Sequence, residues 1–175
     1  LCSLETIHLL VEFGSKFAHE SFRAAVEGDL SYLENMSIEE IKELLLLRDN
    51  AGYNIVHYGI VQNQREFIEK LNLTPEDMSV ESSNDLHENP LLLATYAGQP
   101  DMIDYLVDTY NMNPNSAEGC KDGTTPLLYA AYSGSIIMVE HLINKYGAVL
   151  KDNVDSYGQT PLLNAAYTGR KDLFD

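Results

Sequence analysis

The residues of this chain best suited to chemistry are its histidines, its cysteines and its denser groups of carboxylates. Their spacing speaks against a reaction centre. His8, His19, His57, His87 and His141 fall in no HExxH helix, no Cys/His metal spacing and no GxSxG turn. The run Asp152-Asn153-Val154-Asp155-Ser156-Tyr157-Gly158 has the carboxylate density of a calcium loop, yet it lacks the alternate-residue spacing and the distal Glu that would complete the coordination sphere. Cys2 and Cys120 form neither a CxxC pair nor a disulfide-like pattern, which points to a reducing compartment, and the cytoplasm is the expected location. Two glycosylation-type triplets, Asn35-Met36-Ser37 and Asn72-Leu73-Thr74, point weakly the other way, since such triplets often arise by chance. We expect no enzyme, no cofactor, no metal site, and in Cys120 a partly buried structural thiol.

Charge narrows the partners. Eleven Lys+Arg against 27 Asp+Glu give 11 − 27 = −16, a surface that repels nucleic acid phosphates and anionic lipid headgroups. Solubility is the first use of that charge, and steering of a basic protein partner is the second. The longest purely aliphatic run, Leu44 to Leu47, is far short of the roughly 20 residues that span a bilayer, and the N-terminus lacks a signal pattern. The expectation is therefore no membrane insertion and no nucleic acid. Nothing in the sequence sets an oligomeric state.

The elements that would position any functional residue come from internal repetition. Thr125-Pro126-Leu127-Leu128-Tyr129-Ala130-Ala131-Tyr132-Ser133-Gly134 returns 35 residues later as Thr160-Pro161-Leu162-Leu163-Asn164-Ala165-Ala166-Tyr167-Thr168-Gly169. Asn89-Pro90-Leu91-Leu92-Leu93-Ala94-Thr95-Tyr96-Ala97-Gly98 stands 36 residues earlier, and Asn54 to Gly59 and Ser21 to Gly28 keep the register more loosely. The small residues Ala24, Gly59, Ala94, Ala130 and Ala165 are spaced 35, 35, 36 and 35 apart. Thr or Asn caps a helix and Pro at its first position gives up a donor the helix does not use. A second amphipathic segment follows each copy: Met102, Ile103, Leu106 and Val107 after Gly98, and Met138, Val139, Leu142 and Ile143 after Gly134. Asn63, in the glycine's place, is followed likewise by Phe67, Ile68 and Leu71. Turn signals precede the first helices at Asp49-Asn50-Ala51-Gly52, Cys120-Lys121-Asp122-Gly123 and Asp155-Ser156-Tyr157-Gly158. The unit is turn, helix, turn, helix. Neither helix buries its apolar face alone, so units must stack.

Asp155-Ser156-Tyr157-Gly158-Gln159-Thr160-Pro161-Leu162-Leu163-Asn164-Ala165-Ala166 resembles the ankyrin repeat, D-x-x-G-x-T-P-L-H-x-A-A, whose period is near 33. The resemblance runs from about Asp49 to Asp175 and more loosely from His19 to Arg48. It departs from the pattern where Leu92, Leu128 and Leu163 replace the motif histidine kept at His57, in the turn Asn84 to His87 that lacks Gly, and in longer loops around Asn72 to Ser83 and Asn111 to Gly119. The resemblance implies an all-α solenoid of stacked helix-turn-helix units with short turn or β-hairpin fingers, and a structural role for His57. We expect a capping helix (Leu4 to Gly14) and an atypical first repeat over 1–48, repeats over 49–83, 84–119 and 120–154, and an incomplete one over 155–175. Ser37 and Glu40 form a capping-box pattern that starts a helix through Leu47.

Ankyrin domains bind protein through first helices and fingers that line a concave face, so the resemblance implies a non-catalytic protein-binding module. Within the fourth unit, Leu127, Ala130 and Ala131 should face the second helix, leaving Tyr129 and Tyr132 on the other side. The corresponding pairs are Tyr58 and Val61, Leu93 and Tyr96, and Asn164 and Tyr167. Together they predict a stripe bearing tyrosine in four units, which would serve binding, packing between units, or both. The finger positions Tyr53, Glu88, Lys121, Asp122, Tyr157 and Gln159 are the next candidates. The alternative is a regulatory or spacer segment of a larger enzyme, channel or pathogen effector. The start at Leu1 and a last helix cut at Asp175 motivate that alternative.

Overall fold

The repeated Thr-Pro and Asn-Pro pairs open helices in the computed structural model, which describes residues 16–78, 82, 88–117, 120–151 and 153–169, with side chains from residue 19 onward. Thr125 and Thr160 each accept the backbone N–H three residues on, from Leu128 and Leu163 at 3.2 Å, and Asn89 accepts that of Leu92 at 2.9 Å. Pro90, Pro126 and Pro161 take the first helical position behind these caps. At the copy that lacks Pro the cap is reciprocal: Asn54 accepts the N–H groups of Val56 and His57, and the Asn54 N–H donates to His57 Nδ1 at 2.8 Å. His57 thus holds the start of its own helix.

The described residues fall into two compact units, one reaching Met78 and Ser82, the other running from Glu88 onward. The first contains α1 (Lys16–Glu27), a 3-10 helix (Leu30–Leu33), α2 (Ile38–Leu46), α3 (Ile55–Val61), α4 (Arg65–Lys70) and α5 (Pro75–Met78). The Ser37/Glu40 capping box is formed in both directions, at 3.2 Å to the Glu40 N–H and 2.7 Å from the Ser37 N–H. Helix α3 packs on α1 and on α4, burying Phe22, Ala25, Ile55, Ile60, Phe67 and Ile68. Gly59 lets α3 and α4 approach tightly, since a Cβ there would lie 3.1 Å from Ile68 Cγ1. Asn63, standing in the glycine's place, turns the chain with φ 56°. The stretch expected to be plain loop after Asn72 holds the single turn α5, capped by Thr74 and Asp77 (Thr74 Oγ1 accepts the Asp77 N–H at 3.2 Å, the Thr74 N–H donates to Asp77 Oδ2 at 3.0 Å) and pinned by the fully buried Met78. Its signal, Thr-Pro-x-Asp, is a helix start in its own right.

The second unit contains α6 (Pro90–Tyr96), α7 (Pro100–Tyr110), α8 (Pro126–Ser133), α9 (Ile136–Tyr146) and α10 (Pro161–Tyr167). First helices α6, α8 and α10 lie side by side, and α7 and α9 pack behind α6 and α8 respectively. Ala94, Ala130 and Ala165 are buried where these helices approach, and Met102, Ile103, Leu106, Met138 and Leu142 fill the space behind them. Each fully buried large aliphatic contributes roughly 1.5–3 kcal/mol relative to exposure. Among the described residues there is no β-strand, so the fingers are hydrogen-bonded turns and not hairpin ladders. The helix expected over Leu4 to Gly14, the turn from Asn84 to His87, and Leu173 and Phe174 lie outside the described residues.

A larger side chain at a register mark has no room. Ala130→Leu should lower unfolding free energy in urea by about 1–3 kcal/mol; an unchanged midpoint would mean that the helices do not meet at that residue.

Candidate functional site

Helical geometry sorts the repeated tyrosines by face. In α8 the buried Leu127, Ala130 and Ala131 point into the helix pair, while Tyr129 is half-buried and Tyr132, three residues on, is 52% exposed. Tyr96 and Tyr167 hold the same position in α6 and α10 and are 47% and 84% exposed. The Tyr96 and Tyr129 rings are 5.8 Å apart at their centroids, tilted by 37°, so these tyrosines also pack on one another across neighbouring repeats. Asn164 is half-buried and bridges helices by donating to the Leu128 carbonyl at 3.4 Å.

Three residues expected on this surface are not on it. Tyr58 is 4% exposed, its hydroxyl donating to Asp49 Oδ2 at 2.5 Å and its ring edge-on to Phe22 and Tyr53, which makes it a strut inside the first unit. Leu93 is 2% exposed, because an aliphatic side chain with no polar tip gains most by being covered. Glu88 is 5% exposed and accepts the Tyr129 hydroxyl at 2.9 Å, a bond between neighbouring repeats in place of a solvated finger position. Val61 and Tyr53 are half-buried, and Tyr53 stands edge-on to His57.

The fingers owe their shape to the leading Asp. Asp155 Oδ1 accepts the N–H groups of Tyr157 and Gln159 at 2.9 and 2.8 Å, and Gly158 follows with φ 77°, a conformation that costs other residues about 1–2 kcal/mol. Asp49 holds Ala51 and Tyr53 the same way. In the intervening finger Cys120 stands where the Asp would, its Sγ 3.7 Å from Asn89 Nδ2, and Asp122 Oδ1 takes the Thr124 N–H. Lys121, Tyr157 and Gln159 are exposed and Asp122 is half-buried. The Ser156 N–H donates to the Asp122 carbonyl at 2.8 Å, locking adjacent fingers together.

Residues of α8, of α10 and of those two fingers line a cleft of about 500 Å³. Six of its lining residues, Asp122, Tyr129, Tyr132, Gln159, Asn164 and Tyr167, are partner-binding candidates of the sequence; Thr124, Leu128 and Asp155 are not. Asp155 could have been found as the finger's leading residue. Leu128 stands out in the sequence only as a replacement of the motif histidine, which carries no binding signal.

A polar cluster outside the cleft lies where α7 meets α9. Asp104 accepts from His141 Nε2 at 2.7 Å, the Tyr146 hydroxyl at 2.6 Å and Lys145 Nζ at 2.7 Å. Burial alone would raise the Asp104 carboxyl, but the bonds from Lys145, Tyr146 and His141 together outweigh it and hold the group below the usual carboxylate range. Burial, and then the hydrogen bond to Asp104 and that group's charge, push the Tyr146 hydroxyl well above the ordinary tyrosine value. These satisfied bonds fasten two helices. Among the described residues no three His, Cys, Asp or Glu side chains are gathered as a metal ion would need, and no helix is long and apolar enough to cross a membrane.

Asp104→Asn should therefore cost about 1–3 kcal/mol of unfolding free energy at neutral pH. A carboxyl whose folded value is depressed stabilises the fold above its unfolded value and loses that effect as pH falls through the folded one. The gap between wild type and variant should accordingly close below about pH 4 in chemical denaturation.

No curated protein matches the chain. A family model described as ankyrin repeats, in three copies, matches residues 62–154 and 91–175. That match spans more than half of the chain, and it falls on the stacked helix pairs and fingers described above. The chain belongs to the ankyrin repeat family.

Proposed function

We propose that this chain binds a protein partner through its second unit, on the face formed by the first helices α6, α8 and α10 together with the exposed fingers. Ankyrin repeats are in general protein–protein interaction modules and are typically non-catalytic. One observation carries the finer reading. Tyr96, Tyr132 and Tyr167 stay exposed on a single face, whereas the other large side chains of their helices, apart from Leu162 and Leu163 of α10, are buried or half-buried. Tyrosine covers much area at low entropic cost and keeps a polar tip, which suits a surface that is wet when free and dry when bound. Tyr157, Lys121 and Gln159 on the fingers extend the face. The net charge of −16 favours a partner with a basic surface, and a sequence whose two cysteines form no disulfide-like pattern fits a reducing cytoplasmic setting.

Recovery of the partner with purified wild-type chain, compared with the Tyr132→Ala, Tyr167→Ala double variant, tests this. Two interface tyrosines of ordinary hot-spot strength predict a fall of about tenfold or more in affinity, with unfolding free energy kept within about 0.5 kcal/mol per site. Ile137→Ala, on the exposed side of α9, should leave recovery unchanged. Full recovery by a folded double-tyrosine variant would exclude the face.

A further inference from the structure

The cleft between α8 and α10 combines three kinds of surface. Its lining brings together the finger carboxylates Asp122 and Asp155, the rings of Tyr129, Tyr132 and Tyr167, and Leu128 with Asn164; no lysine or arginine is among its lining residues. Asp122 and Asp155 sit on fingers in direct contact, since a Cβ placed on Gly123 would lie 3.8 Å from Asp155 Cα. Each spends Oδ1 on the N–H groups of its own turn, so the second oxygen of each can accept from outside. At about 500 Å³ the cleft is within the range of roughly 300–1,000 Å³ typical of small-ligand sites.

We propose that this cleft receives the guanidinium group of an arginine carried by a basic segment of the partner, a proposal that rests on the docking face described above. The chemistry of the lining selects that group. A guanidinium is planar, so it stacks on tyrosine faces while its edge donates several N–H bonds to carboxylate and amide oxygens. Its methylene stem lies against apolar surface such as Leu128. A lysine ammonium would meet the carboxylates as a point charge but has no plane to stack and no fork to match two acceptors. With −16 on the chain, a basic segment is drawn toward this surface before any contact forms.

The test is an NMR titration of the whole chain with an acetylated, amidated peptide of alternating arginine and glycine, beside the same peptide with citrulline or lysine in place of arginine. Saturable shifts should concentrate on the side-chain amides of Asn164 and Gln159 and on Tyr132 and Tyr167. Citrulline keeps the shape and removes the charge, and should bind about tenfold or more weakly; lysine should fall between. Asp122→Asn with Asp155→Asn keeps an acceptor for each turn, so melting should hold while arginine affinity drops by a similar factor. Equal binding of arginine and citrulline peptides, or indifference to the paired Asp variants, would overturn the proposal, and equal binding of lysine would overturn the guanidinium assignment. A silent cleft combined with loss of the partner in the double-tyrosine variant would remove the arginine site and leave the docking face standing. A filled cleft with the partner retained would keep the arginine site and remove the face.

Discussion

Helices of seven or eight residues are too short to stand in water alone, because nucleating a helical turn costs more than so few bonds return. The first helices α3, α6, α8 and α10 are of that length, and each depends on the close packing around its small residue, Gly59, Ala94, Ala130 or Ala165. A small residue at each mark lets backbones approach, and the approach buries the leucines, isoleucines and methionines that hold the pairs. Caps from Thr, Asn and Pro lower the cost of starting each helix but do not replace that packing. Stability is in this sense cooperative between neighbours, as expected for a repeat architecture.

Local and periodic features were legible in the sequence for that reason. The Thr-Pro caps, the Ser37/Glu40 box, the finger aspartates and the small-residue register each act within a few residues, so their chemistry can be read without knowing what surrounds them. Exposure is different, because it depends on the neighbouring repeat. Tyr58, Leu93 and Tyr129 share one position in the motif, yet the first two are buried and the third is half-buried. Glu88 looked like a solvated finger because its acceptor role toward Tyr129 lies 41 residues away. The Asp104 cluster joins residues 37 and 42 apart and was invisible for the same reason. The turn α5 was missed although Thr74-Pro75-Glu76-Asp77 carries a local signal, since it interrupts the period used to read the rest.

The acidic residues divide by the work they do. Asp49, Asp122 and Asp155 shape fingers, Asp104 fastens α7 to α9, and Glu88 ties neighbouring repeats. Among the described residues, most other carboxylates are exposed. Among the described residues, the two finger aspartates line one cleft with exposed tyrosines, which is where the proposed cationic group would be received. Binding would thus draw on positions that the repeat does not need for its own packing, chiefly Tyr132, Tyr167, Tyr157 and Gln159.

The central claim is that the first-helix face of the second unit is the docking surface. Cross-saturation NMR on deuterated, nitrogen-15-labelled chain bound to its unlabelled partner addresses it directly, because saturation passes only to amides at the interface. The account predicts loss of signal at residues 129–132, 157–159 and 164–167. Loss confined to the exposed side of α9, around Ile137 and Glu140, would contradict it.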